Sequence, residues 1–226
     1  MSSYPGTELE LFRDATNWKA YFARFVKPFV RGAVLEVGAG AGATTAALSG
    51  ASHERWLCLE PDSTLAAEIA GMCEIMIGTT ADLDPRPQFD TILYIDVLEH
   101  IDDDRAELER ASRLLRDDGH LVVLVPARQS LYSAFDAAIG HHRRYDRETL
   151  DAAMPPLMPR VSSRYLDSLG VLVSLANRIV LRSSMPTPRQ IAVWDKLVIP
   201  LSRVVDPLLG YRAGKSLLEV RRKARA

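Results

Sequence analysis

The stretch VLEVGAGAG, residues 34–42, constrains the fold more than any other part of the chain. A short apolar run with one acid inside it meets glycines at alternate positions, Gly38, Gly40 and Gly42. The run reads as a buried strand. The first glycine lets the chain turn sharply where the strand ends, and the second leaves room for a ligand to approach the backbone. A helix that follows offers N–H groups with no intrahelical partner. Strand, tight turn and helix in that order make a cradle of the nucleotide-binding type.

The chain continues in the same manner. RWLCLE (55–60), EIMIG (74–78), FDTILYI (89–95) and HLVVLVPA (120–127) read as strands two to five. Between them lie helical segments: GATTAALSG, then a stretch that Asp62 can cap, then DRAELERASRLLRDDG with a Gly stop. Strands alternating with helices predict a parallel sheet covered on both faces. Ahead of the first strand, Asn17 is a candidate cap for a helix whose Trp18, Tyr21, Phe22 and Phe25 share one face. After Pro126 the alternation becomes irregular. RVSSRYLD (160–167) and GKSLLEVRRK (214–223) read as sixth and seventh strands, and between them run two apolar helical stretches broken by SMPTP. With no repeat or long linker, the reading is a single domain over residues 1–226. It has N-terminal helices (1–31), a cofactor-binding core (32–127), and a substrate-side loop with helices and the last strands (128–226).

Composition excludes several classes. The formal net charge of −1 gives no field that would attract nucleic acid. The N-terminus lacks a signal-peptide pattern and no apolar run reaches a membrane span, so a cytoplasmic protein is expected. The two cysteines, Cys58 and Cys73, form no CxxC pair and are expected as buried free thiols. No metal-ligand cluster stands out among the five histidines, of which only His141 and His142 are adjacent.

Two cofactors fit the glycine turn. Gly38, Gly40 and Ala43 satisfy the dinucleotide pattern GxGxxG/A, and S-adenosylmethionine sits on turns of the same kind. Glu36, two residues before the first glycine, can meet a cationic amino group, which the sulfonium cofactor has and NAD lacks. Glu60 closes the second strand, where a carboxylate can accept both hydroxyls of an adenosine ribose in either cofactor. Beyond the third strand, Asp82 can take an adenine amino group and Leu83 can cover the ring. These segments also read as an acid bonded to backbone and a plain turn.

Taken in order, VLEVGAGAG, LCLEPD, FDTILYIDVLEHI and LRDDGHLVVLVPA resemble the class I S-adenosylmethionine-dependent methyltransferase family over roughly residues 33–127. The resemblance implies an α/β, Rossmann-like, doubly wound sheet of seven strands. Its last strand is antiparallel and inserted between the fifth and sixth, and SLLEVRRK fits that strand; a helical insertion precedes it. The resemblance also implies cofactor roles for Glu36, Gly38, Ala39, Gly40, Glu60, Pro61, Asp82, Leu83, Ile95 and Asp96, with His100 near the cofactor. LYSAFDAAIGHHRRYDRETL is similar to the GHxRRY segment of a subgroup often encoded with glycan or natural-product pathways.

Methyl transfer from a sulfonium is an in-line displacement, so the protein's main task is to align a nucleophile with the methyl group. A base helps where the acceptor is a hydroxyl. In GHHRRYD, His141 is the candidate base, Arg144 and Tyr145 are further catalytic candidates, and His142 and Arg143 with Tyr21 are candidate substrate-binding residues. The same loop also reads as one stapled by its own ion pairs, through Asp136 and Asp146. The late apolar helices (167–209) can roof the pocket, form a homodimer face or rest on a membrane surface, and Leu169, Val171, Leu172, Ile179 and Val180 also read as plain core. The expectation is a methyltransferase acting on oxygen or nitrogen of a small-molecule acceptor. A non-catalytic binding module and, further off, a nicotinamide-dependent oxidoreductase are the alternatives.

Overall fold

The computed structural model describes residues 7–156, 158–176 and 185–225. Ile179 and Val180, with the second half of the first late apolar stretch, lie outside the described residues.

Seven strands form one sheet: β1 (Ala33–Val37), β2 (Arg55–Glu60), β3 (Glu74–Ile77), β4 (Phe89–Ile95), β5 (Leu115–Pro126), β6 (Arg160–Leu166) and β7 (Ser216–Arg222). Their order is β3-β2-β1-β4-β5-β7-β6. The first five pair in parallel, and β7 pairs antiparallel with both β5 and β6. The inserted antiparallel strand is therefore present where expected.

β1 is buried at every position, as a strand covered on both faces must be. Alternate residues feed two cores. On one face Leu93, Val122 and Leu124 meet Trp18, Phe22 and Val26 of α2 (Thr16–Val26). On the other, Ile92, Tyr94 and Val123 meet Leu108, Ala111 and Leu114 of α5 (Asp104–Leu114). Each fully buried large side chain contributes about 1.5–3 kcal/mol.

Local signals hold in part. Asp62 caps the helix Ser63–Glu68, accepting from the Thr64 and Leu65 N–H groups. Asn17 is not a cap: α2 begins one residue earlier, at Thr16, and its free N–H groups are met from a distance. Asp195 accepts from the backbone of Asn17 at 3.2 Å and of Trp18 at 2.9 Å. The helix expected to run to Gly119 stops at Leu114, because Leu115 already pairs with Phe89 in the sheet. The cysteines are also not free thiols. β2 and the turn before β3 bring Cys58 and Cys73 together with Cα atoms 6.4 Å apart, and they form a disulfide.

The late segment comprises α8 (Ser168–Ala176), α9 (Pro188–Val193), one π-helical turn at Trp194–Val198, and α10 (Ile199–Leu208). Three buried carboxylates fasten it. Asp195 holds α2. Asp206 accepts from the Tyr21 hydroxyl at 2.6 Å and from the Asp167 and Ser168 N–H groups. Asp167 accepts from Trp194 Nε1 at 2.8 Å and from the Ser202 hydroxyl. Leu172 is not core: it is exposed, as are Leu197, Leu201, Val204 and Leu208. No described helix is long and apolar enough to cross a membrane.

Candidate active site

One cavity of about 1640 Å³ opens at the C-terminal ends of the parallel strands, where open α/β sheets bind ligands. That is larger than the roughly 300–1,000 Å³ of a usual ligand pocket, so it has room for two molecules.

At one end the wall is the glycine turn. Gly38 has φ +65°, and a Cβ there would fall 2.7 Å from Val97 Cγ2. Only glycine satisfies both the left-handed backbone and the close approach. The Gly38 N–H donates to the Leu59 carbonyl at 2.7 Å, which ties the turn to β2. Glu60 braces it further: its carboxylate accepts from the Gly40 N–H at 2.8 Å and from the Asp62 N–H at 3.0 Å. Ala39 and Pro61 line the same wall.

A second stretch of wall comes from β4 and the turn after β3. Ile95 and Asp96 line the cavity, with Asp96 at φ +55°. Asp96 is open to the cavity, and the surrounding walls raise its carboxyl above the usual range against the opposing pull of His141 and Lys215. Thr79 and Thr80 line the cavity as well. Thr80 donates to Glu107, a buried carboxylate that also accepts from the Tyr94 hydroxyl at 2.6 Å and from Arg110.

The other end is built by the 127–146 loop. The loop closes on itself where the Arg128 N–H donates to the Tyr145 carbonyl and the Tyr145 N–H to the Pro126 carbonyl. It then crosses to the turn after β4, where the His142 N–H donates to the Glu99 carbonyl at 2.8 Å. Asp136 is its hub, accepting from Arg144 Nε at 2.8 Å and Nη2 at 3.0 Å and lying 3.0 Å from His141 Nδ1. Burial opposes the Asp136 charge, but hydrogen bonds from His141 and Arg144 hold its carboxyl well below the usual range. His100 and His141 meet edge to face, 4.6 Å between ring centroids. Burial, and next the neighbouring His141, lower His100 to about 4, so it is neutral near pH 7. Glu99 is fully buried, and burial followed by the Asp96 charge raises its carboxyl well above the usual range.

The cavity brings together Gly38, Ala39, Gly40, Glu60, Pro61, Ile95, Asp96, His100, His141, His142 and Arg144 of the expected residues. Six others stand outside its wall. Glu36 turns into the core, where its carboxylate accepts from Thr45 Oγ1 at 2.8 Å and Trp56 Nε1 at 2.9 Å; burial raises it to about 7. Asp82 folds back to accept from the Thr79 N–H and hydroxyl, and Leu83 packs on the core below β4. Tyr21 is fully buried on Asp206. The Tyr145 hydroxyl donates to Asp104 at 2.8 Å, and Arg143 is bound to the Ile101 and Asp102 carbonyls. Of the two pairings weighed for the loop, Asp136 takes Arg144, while Asp146 caps the helix Arg147–Ala153.

Sequence reasoning missed Glu99 and Lys215, which both line the cavity. Lys215 Nζ lies 4.5 Å from the Trp194 ring centroid. For Glu99 the signal was present, an acid on an apolar one-turn segment beside His100. The late helices contribute Ile191, Trp194 and Val198 to the wall, next to Trp18 and Phe22.

A seven-stranded sheet with an inserted antiparallel strand, glycine turn and cavity above the strand ends defines the class I methyltransferase fold. A family model described as "Methyltransferase domain" matches residues 10–172, and the chain belongs to that family. The chain is similar in structure to one in the complex of the Haloferax volcanii Trm112 methyltransferase activator with a methyltransferase (TM-score 0.65, 17% identity, covering 95% of this chain and 92% of that one). It also resembles a SAM-dependent methyltransferase from Archaeoglobus fulgidus (TM-score 0.63, 17% identity, 93% and 95% covered). A third similar structure is the N-methyltransferase NodS of Bradyrhizobium japonicum WM9 bound to S-adenosyl-L-homocysteine (TM-score 0.56, 14% identity, 99% and 90% covered). No curated protein matches the chain.

Proposed function

We propose that the chain transfers the methyl group of S-adenosylmethionine to an oxygen or nitrogen of a small-molecule acceptor. The observation that carries this reading is the continuity of one cavity from the glycine turn and Glu60 to the Asp96–His141 cluster. The glycine turn and Glu60 would hold the cofactor. Glu60 takes the ribose hydroxyls with the lone pairs that the Gly40 and Asp62 N–H groups leave free, and the adenine lies toward Thr79 and Thr80. A donor held there would supply an activated methyl group to the part of the cavity lined by His141 and Arg144. There the wall combines His141 and Arg144 with an apolar side made by Trp18, Phe22, Ile191 and Trp194. That mixture suits an acceptor with an aromatic or lipid-like body and one polar reacting group.

Such an enzyme needs little beyond alignment, because the sulfonium already carries the activation. For a hydroxyl acceptor the proton must also leave. His141 has the geometry of a proton acceptor: its Nδ1 is held by Asp136 and its ring lines the cavity. Calorimetric titration with S-adenosylhomocysteine, with NADH in parallel, tests the reading. Micromolar binding of the first alone supports it, and an acceptor screen follows. Binding of NADH alone replaces it with an oxidoreductase, and silence from both leaves a binding module on a methyltransferase fold.

A further inference from the structure

The Glu99 side chain poses a problem that the methyl-transfer geometry leaves open. It is fully buried, and apart from an approach of its own backbone N–H neither of its carboxylate oxygens has a hydrogen-bond partner among the described residues. A buried carboxyl in that state is costly unless something neutralises it. His141 Nε2 stops 3.7 Å from Glu99 Oε1, beyond hydrogen-bonding distance.

The surrounding groups have the makings of a ligand set. Donor atoms of Glu99, His100 and His141 lie within 4.8 Å of one another. Both rings are oriented from behind: Asp136 Oδ1 is 3.0 Å from His141 Nδ1, and His100 is hydrogen-bonded to the Gly140 backbone. A carboxylate on one ring nitrogen fixes the tautomer and turns the other nitrogen's lone pair outward, the arrangement that supports metal-binding histidines. Asp136 is itself locked by Arg144. Asp96 acts electrostatically on both Glu99 and His141, with Arg144 and Lys215 as the cations opposing it.

We infer that Glu99, His100 and His141 bind one divalent first-row transition cation of the zinc or manganese kind at the acceptor end of the cavity. Two imidazole nitrogens and a carboxylate suit such an ion better than Mg²⁺ or Ca²⁺, which prefer oxygen throughout. Bonds of about 2.0–2.2 Å require donor atoms roughly 3–4 Å apart, so small side-chain rotations close the set. Three protein ligands leave coordination positions open to the cavity.

The ion's part in catalysis rests on the methyl-transfer reading. An acceptor hydroxyl on the open position releases its proton to water and remains as a bound alkoxide or phenolate. Its oxygen forms the bond to the methyl carbon as the carbon–sulfur bond breaks, and that electron pair returns to sulfur. A methyl ether and a neutral thioether result. With the ion in place, His141 is a ligand and the proton leaves through coordination.

Tag-free, chelator-stripped protein titrated with ZnCl₂ by calorimetry, and with MnCl₂ by electron paramagnetic resonance, tests the site. One equivalent is expected to bind with a micromolar or lower Kd. Binding weakens at least about 10-fold in Glu99→Gln and in His141→Ala, and is unchanged in His53→Ala, which removes a histidine at the far end of β2. Glu99→Gln is nearly isosteric, and circular dichroism of each variant separates a lost ligand from a lost fold. No stoichiometric binding at about 0.1 mM cation, or binding that survives both substitutions, overturns the site. S-adenosylhomocysteine titrated into the same samples keeps the two readings apart. Cation binding without it retains the metal site and removes the methyl donor, and the reverse pattern does the opposite.

Discussion

The glycine turn at Gly38–Gly40 and the loop at His141–Arg144 line the same cavity and are held by different means. The turn is held by its main-chain N–H groups: Gly38 donates to the Leu59 carbonyl and Gly40 to the Glu60 carboxylate. The loop adds to its backbone bonds a side-chain cluster, in which Asp136, buried itself, gathers Arg144 and His141. The difference suits the tasks proposed for them. One end fits a ligand that never changes and needs only its backbone shape, while the other supplies charge, protons and ligands whose identity sets the acceptor. The two ends should therefore fail differently when altered.

The largest expected effect is on the loop. Asp136→Ala strands Arg144, whose side chain is 8% exposed, and should cost about 3–5 kcal/mol of stability in chemical denaturation. A loss under about 1 kcal/mol would mean that the ion cluster does not hold that end. Next comes Glu36, which lies behind the turn. Its carboxyl is raised from 4.5 to about 7 by burial, so the folded protein holds a proton that the unfolded chain has released. Stability should then fall by on the order of 3 kcal/mol as pH rises from 4.5 through 7. Glu36→Gln should flatten that slope, and an unchanged slope would remove Glu36 as its source.

Gly38→Val tests the turn directly. A branched side chain at φ +65° that meets Val97 should weaken S-adenosylhomocysteine binding about 100-fold or more, with a stability loss of about 1–3 kcal/mol. Wild-type affinity in this variant would break the comparison, because recognition could not then depend on the bare backbone. The smallest effect is expected outside both regions. Leu208 is 81% exposed, so Leu208→Ser should change stability by no more than about 0.5 kcal/mol. A larger change that grows with protein concentration would show a second copy seated on the α10 face.

This division also explains what could be read from the sequence. The strands and the glycine turn are local or periodic signals, and the place of the antiparallel strand followed from the family resemblance; each strand lies near where the pattern placed it, except that β5 begins at Leu115, inside the stretch read as helix. The Glu60 position follows from the same logic, because a strand end has a fixed place in the fold. Glu36 and Asp82 show the limit. A strand position does not say which face its side chain takes or which neighbour will claim it: Trp56 and Thr45 claim Glu36, and the Thr79 backbone claims Asp82. Asn17 failed as a cap because Asp195, 178 residues away in sequence, does the work. The cysteines failed because pairing depends on the approach of β2 to the turn before β3. At the acceptor end the Asp136–Arg144 pairing is local and was legible in the loop, whereas the approach of His141 to Glu99, 42 residues earlier, was not.

The position of β7 bears on how the chain is made. The first five strands can assemble in order as they leave the ribosome, each beside a neighbour already synthesised. β6 cannot join them, because β7 lies between it and β5. Until residues 216–222 emerge, one flank of β5 has no partner along its length. An apolar strand with a bare edge invites pairing with another nascent chain. Chains that stall or are clipped before β7 should therefore aggregate, even though every residue of the glycine turn is already present.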